Sequence, residues 1–207
     1  MSKQLAFYID SSACSGCKTC QVACKDKNDL DLGILWRRVY ELSSGSWEKD
    51  NDIWVSKVSS YNLSMSCNHC GDPICLKSCP TVAIVKREDG IVIIDPERCM
   101  GCRYCEWACP YGALQFNIDK GQMGKCDFCF DYVDNGEQPS CVAACPMRVL
   151  DFGDYEDLIQ KYGDNENIFP LPDQKICDPS FVIKPHKDAS ADSYNITIEN
   201  MEEVKNG

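Results

Sequence analysis

The chain has 207 residues, with 32 acidic against 21 basic side chains and a formal net charge of −11. That balance is the opposite of the basic face that nucleic acid or an anionic lipid surface selects, so neither is expected as a partner. Seventeen cysteines set the chain apart from ordinary globular composition and leave disulfides, zinc or iron–sulfur clusters as their use.

The first ten residues, Met1-Ser-Lys-Gln-Leu-Ala-Phe-Tyr-Ile-Asp10, hold no long apolar run of the kind a secretory signal needs. They lead straight into cysteines, which speaks against a secreted disulfide scaffold. The longest apolar runs are strand-sized, such as Ile91-Val-Ile-Ile94, far short of the ~20 residues of a membrane span. A soluble polypeptide without an export address of its own is therefore expected.

The first cysteine motif is Cys14-x2-Cys17-x2-Cys20-x3-Cys24. Residues 25–66 then form a long connection carrying Trp36, Arg37, Arg38, Tyr40, Trp47 and Trp54. Its aromatics are expected to pack in the core. Ile53–Val58 and Tyr61–Met65 read as two strands. Arg37-Arg38 is internal and no apolar run follows, so it is not an export signal.

The second motif is Cys67-x2-Cys70-x4-Cys75-x3-Cys79-Pro80, and the third is Cys99-x2-Cys102-x2-Cys105-x3-Cys109-Pro110. Between them Asp89-Gly90 is a turn signal flanked by two β-rich runs, which predicts a hairpin. The fourth motif is Cys126-x2-Cys129-x11-Cys141-x3-Cys145-Pro146. Sixteen cysteines are thereby placed and Cys177 is left over, expected as a small packing residue.

Beyond Cys145, residues 151–185 read as a polar, proline-punctuated extension with one amphipathic helix near Tyr155–Tyr162. Asp188–Gly207 reads as a mobile tail or an arm laid on a partner. Asn195-Ile-Thr197 fits a glycosylation sequon that is not expected to be used, since no secretory signal precedes it.

The spacing carries a chemistry. Three closely spaced cysteines let one loop wrap a cube and supply three thiolates. The fourth, three residues on, leaves with the departing chain and reaches a different cube, as in two-cluster ferredoxins. A proline after it suits the exit turn. The third motif follows this run without departure. The first has Lys25 where the proline would stand, and the second and fourth are expanded loops. Paired C-x2-C units also hold zinc, and the fourth motif alone would allow that, but four cysteines in eleven residues favour the three-plus-one cluster pattern.

The layout of motif two, hairpin and motif three is that of a two-cluster ferredoxin, which leaves motifs one and four to pair across the chain. The expected fold is α+β, with two nested bacterial-ferredoxin-like modules, connecting loops, short strands and a C-terminal extension. Residues 1–60 with 115–150 form the first module, 61–114 the inserted second, and 151–207 the extension. Four [4Fe–4S] sites are expected: Cys14, Cys17, Cys20 and Cys145; Cys24, Cys126, Cys129 and Cys141; Cys67, Cys70, Cys75 and Cys109; and Cys79, Cys99, Cys102 and Cys105.

Of the two histidines, His69 is expected to be a loop residue bonded to backbone, and His186 to lie at the surface. Rieske ligation needs two histidines on one iron, and the cysteine set leaves no vacancy. Lys18, Arg103, Lys125 and Arg148 flank the ligand motifs, either as ordinary surface charges or as cations that favour the reduced, more negative cluster. No triad, phosphate loop, dinucleotide fingerprint or catalytic carboxylate pair stands out, so the chain is expected not to be an enzyme by itself. Its chemistry is one-electron transfer, and the metal-free chain is expected to be largely unfolded.

Several segments carry a specific resemblance: Ile9-Asp-Ser-Ser-Ala-Cys-Ser-Gly-Cys-Lys-Thr-Cys-Gln-Val-Ala-Cys-Lys25, Ser66-Cys-Asn-His-Cys70, Lys86-Arg-Glu-Asp-Gly90, Gly101-Cys-Arg-Tyr-Cys105, Ala108-Cys-Pro-Tyr-Gly-Ala113 and Phe181-Val-Ile-Lys-Pro185. Over residues 5–185 the chain resembles the iron–sulfur subunits of the dimethyl sulfoxide reductase family. The resemblance implies an electron relay between a quinol-oxidising integral-membrane anchor and a molybdopterin-containing catalytic subunit. It implies that the motif-one/motif-four pair faces the catalytic subunit, with the cluster of Cys14, Cys17, Cys20 and Cys145 as the exit. One branch replaces a third-motif cysteine by Trp; Cys102 keeps the ligand here, so four [4Fe–4S] clusters are implied. Such subunits are exported folded with a signal-bearing partner, which implies the periplasmic face. Sulfoxide is the implied acceptor. The alternatives are relays for N-oxide, polysulfide, arsenate or formate enzymes, or a free-standing polyferredoxin. A C-terminal membrane helix, frequent in the formate relatives, is not found in the sequence.

Overall fold

The computed structural model describes residues 3–163, 168–189 and 196–206. The chain is α+β; among the described residues it is built from four sheets and short helices threaded between cysteine loops.

Strand β1 (Leu5–Asp10) is central to a three-stranded sheet. It pairs antiparallel with β8 (Leu150–Asp154), Phe7 opposite Phe152, and parallel with β9 (Phe181–Lys184), Phe7 opposite Phe181. Leu5 to Ile9 are all buried, so this strand reads as a continuous apolar run covered on both faces. One face, Leu5, Phe7 and Ile9, enters the main core. The other, Ala6 and Tyr8, packs under helix α6 (Tyr155–Tyr162) against Leu158. Asp154 caps that helix, accepting from the Glu156 N–H at 3.2 Å.

The second sheet is a long hairpin, β2 (Arg38–Asp50) and β3 (Ile53–Met65), paired without a break from Arg38–Met65 to Asp50–Ile53. The two runs expected at 53–58 and 61–65 are therefore one strand: Ser59 and Ser60 do not interrupt the ladder, because they face Ser44 and Ser43. The turn is Asn51-Asp52, both at positive φ (46° and 71°), as a two-residue hairpin requires. The base of this hairpin is core, with Val39, Leu42 and Leu63 buried. Its far half is exposed, and Trp47 and Trp54, expected in the core, are 67% and 63% exposed.

The expected hairpin between motifs two and three is present as β4 (Ile84–Lys86) and β5 (Val92–Ile94), with Gly90 at φ 87°. A further two-stranded ladder, β6 (Gln115–Asn117) and β7 (Gln122–Gly124), links motif three to motif four. The region beyond 150 is less of an extension than its polarity suggests, because β8 and β9 both flank the central strand. The expected helix at Tyr155–Tyr162 is α6.

The described part of the acidic tail folds back on the chain itself. Strand β10 (Ile196–Ile198) adds to the edge of β2, with Ile196 opposite Ser44, and helix α7 (Met201–Asn206) follows. Asn200 bridges the join, accepting from the Glu41 N–H at 2.9 Å and donating to the Val39 carbonyl at 2.8 Å. The Asn195 of the sequon lies outside the described residues.

Candidate iron–sulfur sites

Motifs one and three share one local geometry. In each, a glycine before the second cysteine takes positive φ, Gly16 at 67° and Gly101 at 69°. The basic residue after that cysteine follows, Lys18 at 59° and Arg103 at 65°. A side chain has no room at either glycine: a Cβ on Gly101 would collide with the Gly121 carbonyl, and one on Gly16 would meet the Asn62 amide at 2.6 Å. The left-handed turns curl the loop and hand the chain to a helix, α1 (Thr19–Lys27) or α3 (Tyr104–Ala108). The third cysteine sits in the first turn of that helix, and the fourth lies one turn later or just past its end.

Motifs two and four reach the same shape differently. His69 (φ 44°), Phe128 (66°) and Cys129 (49°) take the left-handed positions. Cys75 lies on α2 (Ile74–Lys77) and Cys141 on α5 (Ser140–Ala143), each entered through a proline, Pro73 or Pro139. The expanded spacers thus end in the same loop-to-helix step. Motif four has one further short helix, α4 (Phe130–Asp134), inside its long spacer.

The sixteen motif cysteines gather in four groups. Cys14, Cys17, Cys20 and Cys145 line one pocket. Cys79, Cys99, Cys102 and Cys105 line another. Cys24 lies beside Cys141 and Cys129, and Cys126 beside Cys24 and Cys141. Cys67 and Cys109 are the neighbours of both Cys70 and Cys75. Each group therefore draws one cysteine from a different motif than the other three. The groups also form a row: Cys20 acts on Cys141, Cys67 on Cys126, and Cys105 on Cys75. Burial follows the row. The four cysteines around Cys24 and Cys126 are all buried, whereas Cys17 at one end is exposed and Cys79, Cys99 and Cys102 at the other are half-buried.

Burial pushes the inner thiols up: Cys24 and Cys75 to about 12, and Cys105 to about 11, with neighbouring cysteines adding to the effect. A neutral thiol is the stable form until an electron-deficient iron takes the sulfur, so cluster binding releases protons. Donors are already aimed at several sulfurs. The N–H groups of Ala83, Met123 and Phe128 point at Cys79, Cys99 and Cys126 at 3.3, 3.4 and 3.4 Å. The Thr19 hydroxyl reaches Cys17 at 3.3 Å and holds its thiol below the usual value. At Cys79, burial works upward, but Thr81 and the Ala83 N–H outweigh it and hold the thiol below its usual value.

This donor set fits [4Fe–4S] clusters: four thiols around a space, with backbone and hydroxyl donors directed at the sulfurs. It fits a single ion less well, since a zinc tetrahedron brings its sulfurs within about 4 Å of one another. Buried donors without a partner, Asn68 Nδ2, His69 Nε2 and Arg37 Nε, lie in or beside the cysteine loops, and buried donors ordinarily have an acceptor.

The remaining candidates sort clearly. His69 is buried, its Nδ1 accepting from the Val92 N–H at 3.0 Å, and burial holds it neutral. His186 is half-buried and stacks on Tyr61 at 5.2 Å. Cys177 is buried as expected, and its Sγ lies 3.4 Å from that of Cys70. Lys125 is buried and donates to the carbonyls of Val92 and Cys126. Lys18 bridges Glu41 and Glu203, Arg103 pairs with Glu106, and Arg148 is exposed. Two residues escaped sequence reasoning: Arg37, which is 1% exposed, and Ser64, whose hydroxyl lies 3.3 Å from Cys20 Sγ. An arginine in an aromatic-rich connection carries no spacing that would mark it.

Residues 58–155 match the 4Fe-4S dicluster domain family. Over 90% of its length the chain is 52% identical to a chain of the anaerobic dimethyl sulfoxide reductase of Escherichia coli, covering 91% of that protein. It is 49% identical to the corresponding chain of Haemophilus influenzae, over 89% of its length and 91% of that protein. It is 36% identical to a putative dimethyl sulfoxide reductase iron-sulfur subunit of Halobacterium salinarum, over 83% of this chain and 75% of that one. With its cysteine loops built for [4Fe–4S] clusters, the chain belongs to the dimethyl sulfoxide reductase family of respiratory molybdoenzymes, as one of its non-catalytic, electron-transferring iron–sulfur subunits.

Proposed function

We propose that this chain relays electrons through four [4Fe–4S] clusters between a quinol-oxidising membrane anchor and a molybdopterin-containing catalytic subunit that reduces a sulfoxide. The observation that supports the count is the row of four cysteine groups, each completed by a cysteine from another motif. In this reading Cys14, Cys17, Cys20 and Cys145 hold the first cluster, and Cys24, Cys126, Cys129 and Cys141 the second. Cys67, Cys70, Cys75 and Cys109 hold the third, and Cys79, Cys99, Cys102 and Cys105 the fourth. Two nested modules, 1–60 with 115–150 and 61–114, then each carry a pair, and 151–207 follows them.

The bound clusters supply one-electron transfer. The polypeptide keeps water from the inner sulfurs, points N–H and hydroxyl donors at them, and leaves the two ends of the row nearest to solvent, where partners approach. The names of the relatives, chains of anaerobic dimethyl sulfoxide reductases, favour a sulfoxide as the acceptor. Among the described residues no helix is long and apolar enough to cross a membrane, so attachment through a partner at the periplasmic face completes the reading.

Isolation from native membranes under anaerobic, mild-detergent conditions tests it, with iron, sulfide and molybdenum quantified and companion chains identified by mass. About 16 iron and 16 sulfide per chain, four of each per cube, are expected together with molybdenum, a membrane protein and sulfoxide reduction. The same iron with no companion and no molybdenum would leave a free polyferredoxin instead.

A further inference from the structure

Arg37 heads the fully buried side chains by volume, and it is a cation. Among the described residues no carboxylate forms an ion pair with it. Its guanidinium donates to the Ser64 carbonyl at 3.3 Å, the Ser64 hydroxyl at 3.1 Å and the Ser66 hydroxyl at 3.0 Å. Its face lies 4.7 Å from the centre of the Phe7 ring. Those contacts are all neutral, and a buried charge without a counter-charge is costly. Around it lie the sulfurs of Cys141, Cys20, Cys126 and Cys24, which become negative once they hold iron. Three of these belong to the second group of the row and one to the first. Cys141 is the foremost of these neighbours. Cys20 is reached through Ser64, whose hydroxyl lies 3.1 Å from Arg37 and 3.3 Å from the Cys20 sulfur.

We propose that Arg37 is a positive charge shared by the first two clusters, lying among the sulfurs of one and linked to the other through the Ser64 hydroxyl, and that it raises the reduction potentials of both. The inference rests on the four-cluster reading. Each oxidised cluster with its four thiolates carries roughly −2 and gains a further negative charge on reduction. A cation held between two such sites stabilises the reduced state of either, and more strongly here than at a surface, because water and salt are excluded. An arginine suits the place: it cannot lose its proton, and its planar fork spans Ser64 and Ser66 while stacking on Phe7. The third and fourth clusters lie further along the row and should not feel it.

The test is an EPR-monitored redox titration of the holoprotein with its companion chains, isolated anaerobically, comparing wild type with Arg37→Gln and Arg37→Lys. Iron content is measured on each sample. With iron at the wild-type level, Arg37→Gln should lower two of the four midpoint potentials and leave two in place. The expected shift is at least tenfold in the reduction equilibrium, which is 59 mV for a one-electron couple. Arg37→Lys should restore most of it, as a purely structural fork would not. Four unmoved potentials, or four moved together, would overturn the proposal. Should Arg37→Gln fail to load iron, Ser64→Ala decides: it keeps the charge and removes the link to Cys20, so one potential should fall, and none moving overturns the shared arrangement. Wild-type protein without iron would sink the cluster reading itself, an outcome distinct from loaded protein with unmoved potentials.

Discussion

Cys109 ends the third motif, yet its thiol lies beside Cys67 and Cys70 of the second. Replacing it by serine should therefore disturb a different cluster from the one disturbed by Cys102→Ser. EPR spectra of the two variants should differ in which signal is lost or converted; loss of the same signal from both would refute the crossed assignment. Cys177 also touches this group, its sulfur 3.4 Å from that of Cys70. The group already has four cysteines, so Cys177→Ala should leave iron content unchanged and cost about 1 kcal/mol of packing. A loss of four irons per chain would make Cys177 a ligand. The sixteen motif cysteines were legible because a cluster loop fixes local spacing. Arg37, Ser64 and the Cys70–Cys177 contact were not, because each depends on segments 27 or more residues apart meeting in space.

At the level of elements, the hairpin at 84–94 and the helix at 155–162 follow from local signals, the Asp89-Gly90 turn and an amphipathic pattern. The long hairpin and the returning tail do not. Leu63 lies at the buried base of the long hairpin beside Val39 and Leu42, and Leu63→Ala should lower stability by about 2–5 kcal/mol in thermal or denaturant melts of the loaded protein. Polar composition made residues 188–207 read as a mobile tail or an arm laid on a partner, yet 196–206 are fastened to the chain itself by backbone pairing to β2 and by Glu203. Glu203 accepts from Lys18 and Gln21. Burial pushes its carboxyl up, but those donors and Asn200 outweigh it and hold the pKa below the usual 4.5. A depressed folded pKa contributes stability that is present above the unfolded value and lost as pH falls through the folded one. The arm should thus loosen on acidification below about pH 4.5, seen as faster hydrogen exchange in α7. Glu203→Gln should loosen it already at neutral pH, by ~1 kcal/mol or less, because the pair is partly exposed.

Taken whole, the molecule is mostly short elements hung on cysteine loops around one long hairpin, and its main apolar core is interleaved with motif cysteines such as Cys20, Cys67, Cys126, Cys141 and Cys145. Removing iron from the isolated holoprotein under denaturing chelation and returning it to native buffer should leave a chain without a cooperative thermal transition, followed by circular dichroism; a sharp transition in the metal-free chain would show that the apolar core suffices alone. By itself the sequence determined the kind of cofactor, the number of cysteine groups and their order along the chain, because cluster loops are short and their spacing is written in adjacent residues. It determined the family for the same reason. Only the tertiary structure decided what lies between the groups: that β1 is sandwiched by β8 and β9, that the tail closes on β2, and that one buried guanidinium sits among the sulfurs of two groups. Those facts depend on long-range packing, where burial and electrostatics act between residues whose separation in sequence carries no periodic signal.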